Sequence, residues 1–275
     1  MKGRIIKNIS NDYTVYSDNK FYICKPRGKF RNNNQNVLVG DIVNFDEKNN
    51  YILDIFPRKN ELIRPSIANI DMAVIVTSVK HPDFDTILLD KTLTIISYNN
   101  IIPIIYFSKL DLLNNNELKE INNYINYYKN IGYYIATNVK ELMNIIRNKT
   151  VVFTGQSGAG KSTLLNKINP KLELITDEIS MSLGRGKHTT RHTELYQIDN
   201  TYIADTPGFS KIDFNGMKPI DIRDNMKELF EATHNCKYKD CMHINEDGCY
   251  ARELLKLGKI LPSRYNNYKS FIGRW

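Results

Sequence analysis

The order of two nucleotide-binding motifs constrains this chain more than any other feature. A phosphate-loop pattern, G-x-x-x-x-G-K-S, occupies residues 155–162, and a guanine-reading pattern, Ser108-Lys109-Leu110-Asp111, lies upstream of it. In an ordinary GTPase the base-reading motif follows the phosphate loop. The sequence therefore predicts a GTPase domain whose chain is circularly permuted.

The phosphate loop has the sequence context that its function requires. The apolar run 151–153 is typical of a buried strand, and the residues from Thr163 onward are typical of a helix. Backbone N–H groups in such a loop cradle phosphates. We expect Lys161 to reach the β- and γ-phosphates and Ser162 to bind Mg²⁺. The predicted phosphate-binding residues are Gly155, Gln156, Ser157, Gly158, Ala159, Gly160, Lys161, Ser162 and Thr163.

A second phosphate-contacting motif follows the strand-like run 201–204. Asp205-Thr206-Pro207-Gly208 places a carboxylate at a strand end, where it can hold the shell of a Mg²⁺ ion. The Gly208 N–H can contact the γ-phosphate, because a glycine allows close backbone approach. A simple D-x-P-G turn is the alternative interpretation.

The segment between these two motifs resembles a switch loop. Residues 184–192 are rich in glycine and basic side chains and contain the pair Thr189-Thr190. One of these threonines is expected to complete the Mg²⁺ shell when GTP is bound, and the sequence does not distinguish between them. A flexible basic loop without a ligand is the alternative.

The base-reading motif is the weaker of the two opening motifs. Asp111 is predicted to accept hydrogen bonds from guanine, Lys109 to pack along the base, and Ser108 to contribute a polar contact. Residues 134–138 form a candidate second base-contacting loop that matches poorly. A P-loop ATPase or a small-molecule kinase with an incidental S-K-L-D therefore stays open as an alternative.

Three of the four cysteines lie close together near the C-terminus. Cys236, Cys241, His243 and Cys249 form the pattern C-x4-C-x-H-x5-C. Three thiolates and one imidazole make a closed tetrahedral zinc site of the structural type. Buried or free thiols are the alternative. Cys24 is distant in sequence and is predicted to lie in the core.

Positive charge is concentrated in the N-terminal segment. The chain of 275 residues carries a net charge of +8, and residues 1–68 contain 12 Lys and Arg against 7 Asp and Glu. Cations alternate along Lys25–Arg31, a pattern that attracts nucleic-acid phosphates. Phe30, with Tyr22 and Phe21 nearby, is predicted to stack on bases. A solvated basic loop is the alternative.

Composition also indicates the compartment. No apolar run approaches the ~20 residues of a spanning helix, and the N-terminus lacks the apolar region of a signal peptide. The cysteines show no disulfide framework. We expect a cytoplasmic monomer that does not associate with membranes.

Element patterns divide the chain into three predicted domains. Five short β-branched or aromatic runs predict a small barrel of the OB-fold type, with an SH3-like barrel left open. Alternating strands and helices then predict a doubly wound α/β domain. Helical runs at 223–232 and 250–257 flank the cysteines. The predicted domains are a nucleic-acid-binding OB-fold over 1–66, a permuted GTPase domain over 67–219 and a helical zinc-binding domain over 220–275.

Taken together, the motifs resemble a known family. The chain is similar to the circularly permuted, small-subunit-dependent GTPases of bacteria, the ribosome biogenesis GTPase A family. The resemblance also covers Ala68–Asp71, Leu183–His192, Phe209 and Arg264-Tyr265. It implies an OB-fold, a permuted GTPase domain and a zinc domain. It further implies binding of GTP with Mg²⁺, binding of 16S rRNA and the 30S subunit, a late role in 30S maturation, and hydrolysis stimulated by that subunit.

Three residues bear on the mechanism. Ser108 stands where Asn is usual, and Gly158 replaces the Asn that supports potassium-assisted catalysis in related enzymes. Phe209 follows Gly208, where Ras-like enzymes place the Gln that orients the attacking water. Slow hydrolysis by the isolated protein is therefore expected. His188, or a group from ribosomal RNA, is the predicted catalytic element, and a purely RNA-binding or loop-shaping role for His188 is the alternative.

Overall fold

The computed structural model describes residues 1–28, 30, 36–62, 66–172, 193–205 and 213–273. The chain forms two compact units. The first unit comprises Met1–Val74, Met143–Thr154 and Lys161–Ser210, and the second comprises Ile75–Leu142, Gly155–Gly160 and Lys211–Trp275. The predicted division into three domains stays a prediction.

The first unit begins with a closed five-stranded barrel. Its strands run in the order β1-β2-β3-β5-β4, and β4 also pairs with β1 to close the barrel. Inward side chains alternate with outward ones, and Ile5, Val15, Cys24 and Phe45 are fully buried. The OB-like barrel and the core position of Cys24 are thus confirmed. The strands are β1 (Lys2–Ile9), β2 (Asp12–Ser17), β3 (Lys20–Pro26), β4 (Ile42–Asp46) and β5 (Tyr51–Ile55).

Asn- and Asp-containing turns set the register of the barrel hairpins. Ser10-Asn11 and Asp18-Asn19 each place two successive residues at positive φ, between 48° and 70°. That conformation suits a two-residue hairpin turn, because its twist matches that of the flanking strands. Asn and Asp tolerate the left-handed region better than most residues. The turn chemistry therefore explains why these strands pair as adjacent hairpins.

A short hairpin, β6 (Glu61–Leu62) with β7 (Ile67–Ala68), follows the barrel. Gly40 has φ 91°, and a Cβ there would lie 2.0 Å from the Ala68 carbonyl oxygen. The Asn69 side chain accepts from the Lys59 amide and donates to the Gly40 carbonyl, at 3.1 Å in both cases. These contacts give the Ala68–Asp71 segment a structural role.

Three further strands of the first unit lie beside the barrel. β11 (Thr150–Gly155) runs parallel to β13 (Thr201–Asp205), and β12 (Glu194–Ile198) pairs antiparallel with β13. β12 reaches β1 through the register pair Lys7 and Glu194, whose side chains form an ion pair at 2.8 Å. The Arg4 guanidinium donates to the Thr150 hydroxyl at 2.8 Å.

The second unit combines parallel strands with helices. β8 (Met72–Ser78) enters this unit at Ile75, and β9 (Ile102–Ser108) lies between β8 and β10 (Tyr134–Ala136). β9 and β10 are parallel. The alternation of strands with helices confirms the α/β class.

Capping explains where the longer helices begin. The Asp85 carboxylate accepts from the Ile87 and Leu88 amides, and Asn114 with Glu117 forms a capping box. Among the described helices, none combines the length and the apolar composition that a membrane crossing needs. The described helices are α1 (Thr86–Tyr98), α2 (Asn115–Asn130), α3 (Val139–Ile146), α4 (Lys161–Ile168), α5 (Pro219–Asp224), α6 (Lys227–Thr233), α7 (Tyr250–Lys256) and α8 (Pro262–Ile272).

The helical run predicted over 223–232 is two helices. α5 ends at Asp224, and α6 begins after Met226, whose φ of −106° and ψ of 100° are those of extended backbone. Met226 is fully buried in an apolar cluster that also contains Ile222 and Leu229. The break therefore lets residues on both helices face the same core.

Candidate nucleotide and zinc sites

The phosphate loop lies between a strand and a helix, as its sequence predicts. β11 ends at Gly155 and α4 begins at Lys161. A Cβ at Gly155 would lie 2.4 Å from the Val76 carbonyl oxygen, so only glycine fits against β8. Gly158 and Gly160 have φ of 79° and 91°, in the left-handed region. The backbone thus has the strand–loop–helix form that binds phosphate, and the individual phosphate contacts stay predictions.

The base-reading motif contacts this loop directly. The Ser108 hydroxyl donates to the Ala159 carbonyl at 2.6 Å, and the Lys109 ammonium donates to the Gly158 carbonyl at 2.8 Å. Lys109 Nζ also donates to the His81 carbonyl. The Ser108 side chain is buried, so its hydroxyl supplies a donor where an Asn amide is usual. Two motifs that are far apart in sequence, in reversed order, therefore meet in the structure.

Asp111, the third residue predicted to read the base, does not contact the loop through any hydrogen bond that the structure describes. Asp111 lies in a single 3₁₀ turn, Leu110–Leu112, directly after Lys109, and is exposed to solvent. The weaker candidate loop after β10 has a local explanation. The Thr137 amide donates to Glu141, and Asn138 accepts from the Glu141 amide, so these residues cap α3.

Much of the predicted Mg²⁺ shell and switch lies outside the described residues. Ser162 lies in the first turn of α4 and is partly buried, and its hydroxyl oxygen is a hard ligand of the kind Mg²⁺ prefers. Asp205 ends β13, but its side chain is not described. His188, Thr189, Thr190 and Gly208 lie in the undescribed ranges. Their roles stay predictions.

The structure brings the four predicted zinc ligands together. The ligand atoms of Cys236, Cys241, His243 and Cys249 lie within 4.8 Å of one another. The three sulfur atoms lie 3.4–3.6 Å from His243 Nδ1. A tetrahedral zinc ion with bonds of about 2.3 Å to sulfur and about 2.0 Å to nitrogen separates these atoms by about 3.5 Å. The donor set and its spacing therefore fit zinc.

Surrounding groups orient the ligands. His243 Nε2–H donates to the Leu229 carbonyl at 3.0 Å, which leaves Nδ1 as the metal-binding nitrogen. The Tyr250 amide donates to the Cys236 sulfur at 3.3 Å. Glu246 accepts from the Met242 and Ile244 amides, both at 2.7 Å. The loop is thus held in a shape that points four donors at one position.

Burial alone opposes ionisation of these thiols. Loss of water around Cys241 raises its pKa to about 12, and burial also raises the pKa of Cys249. A divalent cation in the centre would offset this by stabilising the thiolates. The cluster therefore suits a bound cation better than free thiols.

A buried charge network joins α8 to α1 and α6. The Arg264 guanidinium is 1% exposed; it donates to Glu228 at 2.6 and 2.9 Å and to Asp90 at 2.7 Å. Burial by itself would lower the pKa of Arg264, but the two carboxylates outweigh it and raise the pKa well above its usual value. Asp90 and Glu228 were not singled out by any sequence pattern, because charged residues on separate helices carry no spacing that reveals their contact.

The structure corrects the predicted base-stacking residues of the barrel. Phe30 is only 4% exposed, and Tyr22 packs its ring 5.0 Å from that of Phe45 inside the barrel. Stacking on bases by Phe30 is therefore wrong, and Tyr22 is not presented outward. Phe21, in contrast, is 66% exposed. Of the cations along Lys25–Arg31, Lys29 and Arg31 lie outside the described residues.

Comparisons with known proteins agree with this geometry. Residues 55–215 match the family described as RsgA GTPase, and residues 2–52 match the family described as RsgA N-terminal domain. A relative from Enterococcus faecalis, named small ribosomal subunit biogenesis GTPase RsgA, is 44% identical over 99% of this chain and 94% of its own. A relative from Oceanobacillus iheyensis, named small ribosomal subunit biogenesis GTPase RsgA 2, is 46% identical over 98% of this chain and 96% of its own.

Solved structures extend the comparison to the fold. YjeQ from Thermotoga maritima superposes with a TM-score of 0.86 and 31% identity, covering 99% of this chain and 97% of its own. YloQ, described as a circularly permuted GTPase, gives a TM-score of 0.83 and 35% identity, covering 99% of this chain and 94% of its own. The permuted order of the motifs is therefore a property that this chain shares with a known architecture.

Proposed function

The chain belongs to the RsgA GTPase family, and from this premise we propose that it hydrolyses GTP to GDP and phosphate during maturation of the small ribosomal subunit. The observation that carries the proposal is the contact of Ser108 and Lys109 with the carbonyls of Ala159 and Gly158. That contact supports a single nucleotide site that holds both the base and the phosphates.

The proposed division of labour follows from the chemistry of each group. The loop amides and Lys161 bind the β- and γ-phosphates, and Asp111 accepts hydrogen bonds from the guanine edge. Ser162, Asp205 and one of Thr189 and Thr190 would hold Mg²⁺, which neutralises charge on the phosphates when it is bound. The Gly208 amide is proposed to contact the γ-phosphate.

The attacking water has no residue to orient it at the position where Ras-like enzymes place a Gln. Phe209 follows Gly208 and has no polar atom with which to orient the attacking water. We infer that hydrolysis is slow until the protein docks on the small subunit and its 16S rRNA, and that His188 positions the water in the docked state. Unchanged subunit-stimulated turnover in a His188→Ala variant would exclude that role.

Two other regions are proposed to serve the docking step. The barrel, in the segment where positive charge is concentrated, binds rRNA, and the zinc-stabilised loop holds the C-terminal helices in a fixed form. Because ribosome assembly takes place in the cytoplasm of bacteria, we assign the protein to that compartment.

The proposal is tested by phosphate release from GTP and from ATP, each with and without purified small ribosomal subunits. The expected result is slow release from GTP alone and a large increase with the subunits, with little release from ATP. Equal use of ATP would favour a P-loop ATPase or a kinase. Tight subunit binding without turnover would favour an RNA-binding protein that only senses nucleotide.

A further inference from the structure

The loop that follows β8 lies against the phosphate loop. It comprises residues 79–85, between β8 and α1, and we call it the β8–α1 loop. The Lys109 ammonium donates to the His81 carbonyl of this loop and, at 2.8 Å, to the Gly158 carbonyl of the phosphate loop. Pro82 is also near, since a Cβ at Gly158 would lie 3.5 Å from its Cδ. One side chain of the predicted base-reading motif therefore joins two loops.

The backbone of the β8–α1 loop is held at its first residues. The Ser78 hydroxyl donates to the Lys80 carbonyl at 2.8 Å and accepts from the Lys80 amide at 3.3 Å. The Val79 amide donates to the Ser108 carbonyl at 3.4 Å. His81 follows directly and has a φ of 52°, in the left-handed region that β-branched residues rarely adopt. The position of the His81 carbonyl thus depends on these hydrogen bonds and on its own backbone conformation.

The side chain of Lys80 ties the β8–α1 loop to α2. Its ammonium donates to both carboxylate oxygens of Glu117 at 3.0 Å. Glu117 is itself fixed, because its carboxylate also accepts from the Asn114 amide at 2.8 Å in the capping box of α2. Both side chains of the ion pair are partly exposed, so we expect its contribution to be modest. The pair nevertheless braces the residue that directly precedes His81.

These contacts suit the role predicted for Lys109, whose aliphatic stem is expected to pack along the base. A lysine side chain loses much rotamer freedom when it is fixed in one position. Anchors that already hold it before the nucleotide arrives reduce that cost on binding. Two carbonyls from separate loops supply such anchors, and one of them belongs to His81.

We propose that the β8–α1 loop forms part of the base site and that the His81 carbonyl is the second anchor of the Lys109 ammonium. The Lys80–Glu117 ion pair braces that anchor. These three residues are positioning residues, because they act on the nucleotide through Lys109. The inference rests on the proposed function, since it takes Lys109 as the residue that packs along the base.

The test measures the affinity of the full chain for a fluorescent N-methylanthraniloyl GDP, without ribosomal subunits. His81→Val should weaken binding about tenfold, because a β-branched residue strains the left-handed backbone and displaces the carbonyl. His81→Asn is the matched control, since Asn tolerates this conformation and should bind as the wild type does. Wild-type affinity in His81→Val would overturn the inference.

The ion pair is tested separately. Lys80→Met should weaken binding about two- to fivefold, the range expected for loss of a partly exposed ion pair, while Lys80→Arg should retain the affinity. Lys119→Met removes one positive charge at an exposed position on α2 and controls for long-range attraction of the phosphates. Equal affinities of Lys80→Met and Lys119→Met would remove the ion pair from the account.

A double-mutant cycle with Lys109→Met separates positioning from a general structural role. In that background His81→Val should cause no further loss of affinity, because the ammonium that it positions is gone. An equal loss in both backgrounds would show that the loop acts independently of Lys109 and would overturn the inference. Lys80→Met, which leaves the backbone of His81 unchanged, provides the same cycle if His81→Val does not fold.

Failure of the proposed function has a different signature. Equal affinity of the wild type for the GDP and ADP derivatives would contradict the reading of guanine. The cycle can then be measured with either nucleotide, because packing along the Lys109 stem does not depend on the groups that distinguish guanine from adenine.

Discussion

The phosphate loop and the predicted zinc cluster offer a ligand different kinds of atoms. The phosphate loop depends on backbone conformation, with Gly158 and Gly160 at positive φ and Gly155 packed against the Val76 carbonyl. The zinc cluster depends on side chains, three sulfurs and one imidazole nitrogen around a common centre. The comparison separates two ways in which a short motif encodes a site.

The two sites also differ in how far away in sequence their supporting contacts lie. The carbonyls of the phosphate loop are held by Ser108 and Lys109, which lie about 50 positions earlier, at 51 and 49 residues from their partners. The loop that carries Cys241 and His243 is held partly by Glu246, two to four residues from the amides it accepts from. The hydroxyls of Tyr265 and Tyr268 also hold it, since they donate to loop carbonyls 22 and 26 positions away. The supports of the backbone site thus come from about 50 positions away, and those of the side-chain site come from 26 positions or fewer.

The largest expected effect is on the rate of GTP hydrolysis when the phosphate loop loses its lysine. Lys161→Ala should lower subunit-stimulated phosphate release by about 100- to 1000-fold, because it removes a charged donor from the transferring phosphate. Lys167→Ala, at an exposed position on the same helix, serves as the control and should leave the rate unchanged. A rate for Lys161→Ala close to wild type would show that the loop does not bind the reacting phosphate.

The next largest effect is on zinc content when one of the four predicted ligands is replaced. Cys249→Ser should reduce bound zinc from about one ion per chain to almost none, since a structural site needs all four ligands. Plasma mass spectrometry after exhaustive dialysis measures this directly. Cys24→Ser supplies the comparison, because Cys24 is buried in the barrel and should not affect zinc content. Retention of zinc by Cys249→Ser would remove that residue from the ligand set.

A smaller effect, on GTP affinity, should follow when one methyl group is added to the phosphate loop. Gly155→Ala adds only a methyl group, yet it meets the Val76 carbonyl at 2.4 Å and should weaken GTP binding about tenfold through displacement of the loop. Gly28→Ala is the matched substitution, because a Cβ there meets nothing within 4 Å. Calorimetric titration with a slowly hydrolysed GTP analogue provides the measurement. Equal affinity in both variants would argue against a conformation-dependent site.

The smallest effect concerns the strand that leads into the phosphate loop. The Thr150 amide, at the start of β11, donates to the Asp71 carboxylate at 2.7 Å. Burial raises the pKa of Asp71, but the hydrogen bonds from Lys59 and Thr150 outweigh it and hold the pKa below its usual value. The stability that this carboxylate adds is therefore fully present above about pH 4 and is lost as pH falls through the lower folded pKa.

Asp71→Asn should accordingly lower the melting temperature by about 1–3 °C at pH 7, and the difference from wild type should shrink as the solution is acidified below pH ~4. Thermal unfolding followed by circular dichroism across this range provides the test. Asp83→Asn, at an exposed loop carboxylate, controls for the loss of one negative charge. A constant difference at all pH values would contradict the assignment.

The sequence predicts the four residues of the zinc cluster better than it predicts the contacts that support the phosphate loop. The zinc ligands follow from residue identity and spacing, and the structure brings all four together. The phosphate loop follows from its pattern, but the hydrogen bond from Ser108 to Ala159 does not, because it depends on how β9 lies beside the loop. The strands of the barrel follow from β-branched and aromatic runs bounded by turn residues.

Other features escape sequence reasoning for physical reasons. Asp90 and Arg264 are 174 positions apart, so no local pattern marks their buried contact. Phe30 lies among basic residues that predict an exposed stripe, yet its ring is buried. The break between α5 and α6 occurs without proline or glycine and reflects the burial of Met226. In each case tertiary packing overrides a local signal.

The central claim is that this chain reads guanine with a motif that precedes its phosphate loop. The most direct test is the Asp111→Asn variant, assayed for subunit-stimulated phosphate release from GTP and from xanthosine triphosphate. Asn can donate a hydrogen bond to the xanthine oxygen but cannot accept the pair that guanine donates. The account predicts loss of GTP turnover and a gain with xanthosine triphosphate. Undiminished GTP turnover, with no use of xanthosine triphosphate, would contradict it.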